Sequence, residues 1–181
     1  MTELSIVIPC YNEELNIDLL FDKINNLLNI NSNIEIIIVD NGSKDDTRKN
    51  IQNSKLFINN KIKLIKIENN IGYGHGIMMG VKQANGQCIG WCHADLQTDP
   101  EDVSEAYLKY KDKLLNDKYI VKGLRQNRNF FDNLFTFGMS IFSSLIFKML
   151  INDINAQPKI FSKEFLKYMK DYPEDFSLDL Y

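Results

Sequence analysis

Cysteine is scarce: three residues in 181, at positions 10, 88 and 92, which cannot all pair and form no Cys-x-x-Cys. A disulfide-stapled secreted fold is disfavoured and a reducing compartment is expected. Cys88, Cys92 and His93 lack a fourth ligand and zinc-site spacing, so they read as small residues of a buried strand. Basic excess is also missing. With 21 Lys and Arg against 24 Asp and Glu, and a net charge of −3, no nucleic-acid partner is expected. Long apolar runs are absent too, since the uncharged stretch Asn133 to Phe147 is short for a bilayer span and contains Asn, Thr and Ser. Glu3 and a strand-like opening argue against a leader peptide. There is no internal repeat and no linker. What remains is 44% apolar, with 11 Phe and 8 Tyr, which suffices for one globular core.

The apolar pattern alternates between strand and helix periods. Leu4 to Pro9 reads as a strand, and Asn12 as the cap of a helix burying Ile17, Leu20, Phe21, Ile24, Leu27 and Leu28. Ile34 to Val39 is nearly all apolar, as a strand buried on both faces would be. Ser43 to Asp46 resembles a capping box, and Lys61 to Ile67 alternates like a strand near a sheet edge. A glycine-rich turn, Gly72 to Gly76, leads into a helix closed by Asn85-Gly86. Gln87 to Cys92 is a fourth strand, Asp99-Pro100 opens another helix, and Tyr119 to Val121 is a fifth strand. An apolar helix is expected over 131–151. This order predicts a single α/β domain with a parallel sheet flanked by helices, and ligands beyond the carboxyl ends of the strands.

The loops at that edge carry the unusual polar residues. No Gly-x-Gly-x-x-Gly follows the first strand and no phosphate-binding Gly-x-x-x-x-Gly-Lys occurs, which disfavours dinucleotide chemistry and P-loop nucleotidases. Asp40 ends a buried strand, suited to accept hydrogen bonds from a base or ribose, although a turn with a helix cap explains it equally well. His93, Asp95 and Gln97 share one side if the backbone stays extended, and the oxygens of Asp95 and Gln97 suit Mg²⁺ or Mn²⁺ bound with a diphosphate.

Six segments in order resemble family 2 glycosyltransferases of the GT-A fold: Ser5 to Glu14, Val39 to Thr47, Asn70 to Gly74, His93 to Pro100, Gly123 to Arg128, and Asp153 to Phe161. His93-Ala94-Asp95-Leu96-Gln97 is similar to the Asp-Ala-Asp-Leu-Gln of dolichol- and polyprenyl-phosphate sugar synthases. The resemblance implies a GT-A, mostly parallel sheet in one domain over 1–181, with about 1–123 holding a nucleotide sugar and about 124–181 on the acceptor side. It implies that Pro9, Tyr11, Asn12, Glu13, Asn41, Ser43, Gly72 and Gly74 hold a UDP- or GDP-sugar, with Asp40 reading the base. Asp95 and Gln97 would bind the divalent metal, and Asp95, Arg125 and Arg128 would serve catalysis, the two arginines facing the acceptor or the leaving phosphate. Lys159 and Asp179 are acceptor-side candidates.

Three departures stand out. His93 replaces the first Asp of Asp-x-Asp and is expected to be a weak or absent metal ligand, Asn41 replaces a second Asp, and the chain stops at Tyr181 where relatives continue, so a C-terminally short form is expected. The implied activity is an inverting hexosyl transfer to a polyprenyl-phosphate-type lipid at the cytoplasmic face of a membrane. A hydroxyl acceptor, or nucleotide-sugar binding without turnover, is the alternative. Lys118, Lys122, Arg125 and Arg128 before the apolar helix suit a lipid phosphate, while the helix pattern alone fits a core or homo-oligomer contact.

Overall fold

β2 (Ile34–Asn41) lies inside the sheet, and its sequence explains why. Ile36 and Ile38 pack into one apolar cluster and Ile37 and Val39 into another, so both faces of the strand are covered. β1 (Leu4–Cys10) runs parallel beside it, with Cys10 opposite Asp40. β3 (Lys63–Ile67) takes the parallel edge, which suits its alternating lysines. β4 (Cys88–Trp91) pairs parallel with the other side of β1, setting Val7 against Trp91. The computed structural model describes residues 2–116, 119–124 and 156–179.

Among these residues the sheet has six strands in the order β3-β2-β1-β4-β6-β5. β5 is Ile120–Lys122 and β6 is Lys159–Ser162. β6 is antiparallel to both of its neighbours, so the sheet is mostly, and not wholly, parallel. The sequence reading held no strand at 159–162. Four residues are too few to show a period, and the antiparallel insertion between β4 and β5 is a tertiary choice.

α1 (Ile17–Ile30) and α5 (Pro100–Asn116) cover one face of the sheet, and α4 (Tyr73–Val81) covers the other. α1 buries Ile17, Leu20, Phe21, Ile24 and Leu27, the expected i, i+3, i+4 face. Its cap position is Asn16, not Asn12. Asn12 instead adopts φ 57°, a left-handed turn that asparagine tolerates better than most residues. α2 (Thr47–Asn53) and α3 (Lys55–Ile58) are short pieces between β2 and β3. α4 begins at Tyr73, so Gly74 and Gly76 lie inside the helix and not in a turn before it. The apolar helix expected over 131–151, together with Arg125 and Arg128, lies outside the described residues.

Candidate active site

Parallel pairing brings the carboxyl ends of β1, β2 and β4 to one edge, and a cavity of about 410 Å³ opens there. Pro9, Tyr11 and Glu13 form its wall on the β1 side, Asn41 and Gly72 come from β2 and the start of α4, and Asp95 comes from the loop after β4. Sequence reasoning singled out these six. It missed Asn70, Tyr73 and Phe176, which also line the cavity. Tyr73 carried a signal, as the only aromatic within the glycine-rich turn. Phe176 carried none, because nothing local tells that residue 176 returns to residue 73.

The loops after β1 and β2 are laced together. Asn12 N–H donates to Ser43 Oγ at 3.1 Å and Lys44 N–H donates to Asn12 Oδ1 at 2.8 Å. Glu13 N–H donates to Thr47 Oγ1 at 2.7 Å, and Asp46 N–H donates to Glu14 Oε2 at 2.9 Å. Asn12 and Ser43 therefore hold the rim together, and neither forms the cavity wall. Asp40 is wholly buried behind that wall. One of its carboxylate oxygens accepts Ser43 N–H at 3.0 Å, and the other pairs with the Arg48 guanidinium. Arg48 also donates to Ile67 O at 2.8 Å, tying α2 to the end of β3. No sequence motif had pointed to Arg48.

Asn41 is 4% exposed. Its amide donates to Gly72 O at 3.0 Å, and its Oδ1 has no hydrogen-bond partner among the described residues. A buried acceptor left unmade is costly, and this oxygen is itself covered, the Asn41 amide lying so close to α4 that a Cβ on Gly76 would stand 2.8 Å from its Cγ. Gly72 and Gly74 were expected to admit a nucleotide. The close approach is instead made by the chain itself. A Cβ on Gly72 would stand 2.3 Å from Glu174 O, and one on Gly74 would stand 2.4 Å from Pro173 O.

The backbone after β4 does not stay extended, so the condition for residues 93, 95 and 97 to share one side is not met. Leu96 turns at φ 62°, and Asp95 Oδ1 accepts Gln97 N–H at 3.0 Å, which breaks the row of residues 93, 95 and 97. Gln97 is exposed and outside the cavity wall. His93 lines the cavity, with Nε2 3.0 Å from the Tyr73 hydroxyl. Among the described residues no cluster of three His, Cys, Asp or Glu side chains is poised to hold a metal. Asp95, the wall carboxylate from the loop after β4, fits a hard divalent ion only when substrate phosphates complete the coordination, which is how Mg²⁺ is commonly bound.

Lys159 and Asp179 form an ion pair whose side chains are 7% and 5% exposed, and Lys159 Nζ also donates to Asp179 O at 3.0 Å. Gln157 Nε2 lies 3.3 Å from Asp179 Oδ1 and 3.2 Å from the Tyr73 hydroxyl. Burial, and then the negative Asp179, push the Tyr73 phenol well above its usual range, so it stays protonated.

The family model for glycosyl transferase family 2 matches residues 5–161. A dolichol-phosphate mannosyltransferase of Pyrococcus furiosus is 32% identical over 139 residues, 75% of this chain and 39% of that protein. The chain spans 32% to 39% of the length of such curated relatives. Two solved structures share the fold. The mannosyltransferase PcManGT from Pyrobaculum calidifontis, in complex with GDP-Man and Mn²⁺, superposes with a TM-score of 0.69 at 19% identity, covering 98% of this chain and 49% of that one. Glucosyl-3-phosphoglycerate synthase of Mycobacterium tuberculosis, in complex with Mn²⁺, UDP and phosphoglyceric acid, gives 0.72 at 18% identity, covering 99% and 62%. Both have the GT-A sheet seen here. With a family match running from β1 into β6 and this sheet beneath it, the chain belongs to glycosyl transferase family 2.

Proposed function

We propose that this chain carries the donor site of an inverting hexosyltransferase, taking a sugar from UDP or GDP and passing it to a polyprenyl-phosphate-type lipid at the cytoplasmic face of a membrane. The observation that carries the reading is the single cavity joining Tyr11, Glu13 and Asn41 on one side to Asp95 on the other. A nucleoside fits the first group, and the diphosphate then runs toward Asp95. About 1–123 serves the donor and about 124–181 the acceptor, with Phe176 reaching back into the donor cavity.

In the transfer, an acceptor oxygen attacks the sugar carbon from the side opposite the leaving nucleoside diphosphate, and the anomer inverts. Asp95 would hold Mg²⁺ or Mn²⁺ together with the substrate phosphates, and the ion when bound supplies charge neutralisation for the departing diphosphate. A lipid phosphate is ionised at neutral pH and attacks without a general base, whereas a hydroxyl needs one near its proton. Asp179, a late acidic candidate for that base, is already committed to Lys159. That commitment, and the dolichol-phosphate name of the Pyrococcus relative, favour the lipid acceptor. The second reading, a soluble acceptor, is motivated by the phosphoglyceric acid in the mycobacterial complex. Among the described residues no helix is long and apolar enough to cross a membrane.

A thermal-shift panel of UDP, GDP and CDP sugars, with and without Mn²⁺, tests the donor half. Wild type is expected to be stabilised most by one sugar nucleotide with Mn²⁺, and Asp95→Ala to lose the Mn²⁺-dependent part. Equal Mn²⁺ response in Asp95→Ala would remove that residue from the metal site. Transfer to polyprenyl phosphate in liposomes, lost in Arg125→Ala and Arg128→Ala, is expected of the lipid reading. Transfer to a soluble sugar alcohol without liposome binding would overturn it.

A further inference from the structure

Phe176 lines the cavity and is 74% exposed, although it is a large apolar side chain in a segment that is held on both sides of it. Two residues before it, Glu174 O accepts His75 N–H at 2.9 Å, and two residues after it Leu178 is buried. Gly72 and Gly74 bring the backbone of Pro173, Glu174 and Asp175 into direct contact with the start of α4. The Phe176 ring stacks on Tyr73, with centroids 4.8 Å apart and planes 14° from parallel. Tyr73 is fixed in turn, its hydroxyl 3.0 Å from His93 Nε2 and 3.2 Å from Gln157 Nε2. Tyr73 thus covers one face of the Phe176 ring, and the exposure of that ring is on the cavity side of an anchored chain. An aromatic face displayed in a pocket is the usual means of covering an apolar part of a ligand.

Resting on the nucleotide-sugar reading of the cavity, we propose that Phe176 is the platform for the transferred sugar, its free face lying against the C–H face of the donor hexose. Position in the cavity selects this part of the ligand. The nucleoside is assigned to the wall of Tyr11 and Glu13, and the diphosphate to the Asp95 end. Phe176 is carried on Tyr73, whose ring is edge-on to His93 at 5.5 Å, and His93 is two residues before Asp95. The group that follows the diphosphate along the donor is the hexose. Phe176 also comes from the part of the chain assigned to the acceptor, and the sugar is the group that passes from donor to acceptor. A pyranose is polar around its rim and carries C–H bonds on its faces. A flat apolar ring can therefore cover one face and remove it from water while the hydroxyls keep their own partners.

Calorimetric titration with UDP, UDP-glucose, GDP and GDP-mannose, each with Mn²⁺, separates the parts of the ligand. Phe176→Ala is expected to weaken binding of the sugar nucleotide about tenfold, as loss of an apolar ring contact would, and to leave the matching nucleoside diphosphate unchanged. Phe176→Trp, which keeps a flat aromatic face, is expected to retain the affinity for both. That variant also supplies a direct reporter, since the chain has one other tryptophan, Trp91. Its emission, corrected for that of wild type, is expected to change with the sugar nucleotide and not with the diphosphate. An equal loss for diphosphate and sugar nucleotide in Phe176→Ala would place the ring on the nucleoside and overturn the sugar contact. No loss for either would overturn it as well. A Phe176→Trp emission that responds alike to both ligands would overturn it even if Phe176→Ala failed to fold. Wild type binding none of the four would instead overturn the proposed function, and with it the ligand assigned here.

Discussion

Lys159 and Asp179 show how much a single residue's meaning depends on its neighbours. Both were acceptor-side candidates, yet each neutralises the other in the interior. Removing one partner leaves a buried charge, so Lys159→Met is expected to lose about 3–5 kcal/mol of stability in urea unfolding. Replacing both, as Lys159→Met with Asp179→Leu, removes the uncompensated charge and is expected to recover most of that loss. A double variant as unstable as the single one would show that the pair matters for reasons other than its charge. Asp40 makes the same point. Its place at the end of β2 was legible from the apolar run before it, but its pairing with Arg48 required α2 to fold back.

At the scale of elements, the segment from Pro173 to Asp179 crosses the start of α4. His75 N–H donates to Glu174 O at 2.9 Å, Phe176 stacks on Tyr73, and Leu178 is buried. Gly72 and Gly74 permit this crossing, because backbone meets backbone and neither side can rotate away. Gly74→Ala is therefore expected to lower stability by about 1–3 kcal/mol, as overpacking does, and to expose the segment to limited proteolysis. Unchanged protease sensitivity would mean that the segment is held elsewhere. Helix boundaries were partly legible. Pro100 opens α5 as its sequence indicated, since its ring pre-sets the first turn, while α1 began later than Asn12 suggested because the lacing to Ser43 and Lys44 claimed that residue.

For the whole molecule, the edge opposite the cavity is tied by Glu35, which accepts from Ser5 Oγ at 2.6 Å and from the Asn85 backbone and side chain at 2.8 Å. Burial works to raise the pKa of Glu35, but the hydrogen bonds from Ser5 and Asn85 outweigh it and hold the carboxyl below its ordinary value. Glu3, hydrogen-bonded by Lys111, is lowered as well. A folded pKa below the unfolded one contributes stability above the unfolded value, about 4.3 for glutamate, and loses it as pH falls through the folded value. Stability is thus expected to be nearly flat above pH about 5 and to fall below about 4, with a shallower fall in Glu35→Gln. Urea midpoints measured across that range check it, and an acid limb equally steep in Glu35→Gln would remove Glu35 from the account.

The sequence by itself determined the alternation of strands and helices, the buried faces of β2 and α1, and the edge where ligands bind. Those follow from local period and from the rule that parallel strands collect their loops at one end. The family resemblance also indicated the wall residues Tyr11, Glu13, Asn41 and Asp95, which lie at or just beyond the ends of strands. Only the tertiary structure decided that β6 slips antiparallel between β4 and β5, that Gly72 and Gly74 admit the chain's own backbone, and that Gln157 and Tyr73 link Asp179 to His93. Those contacts join residues 20 to more than 100 positions apart. A hydrogen bond depends on a few tenths of an ångström between such residues, and no local pattern along a chain encodes a distance of that kind.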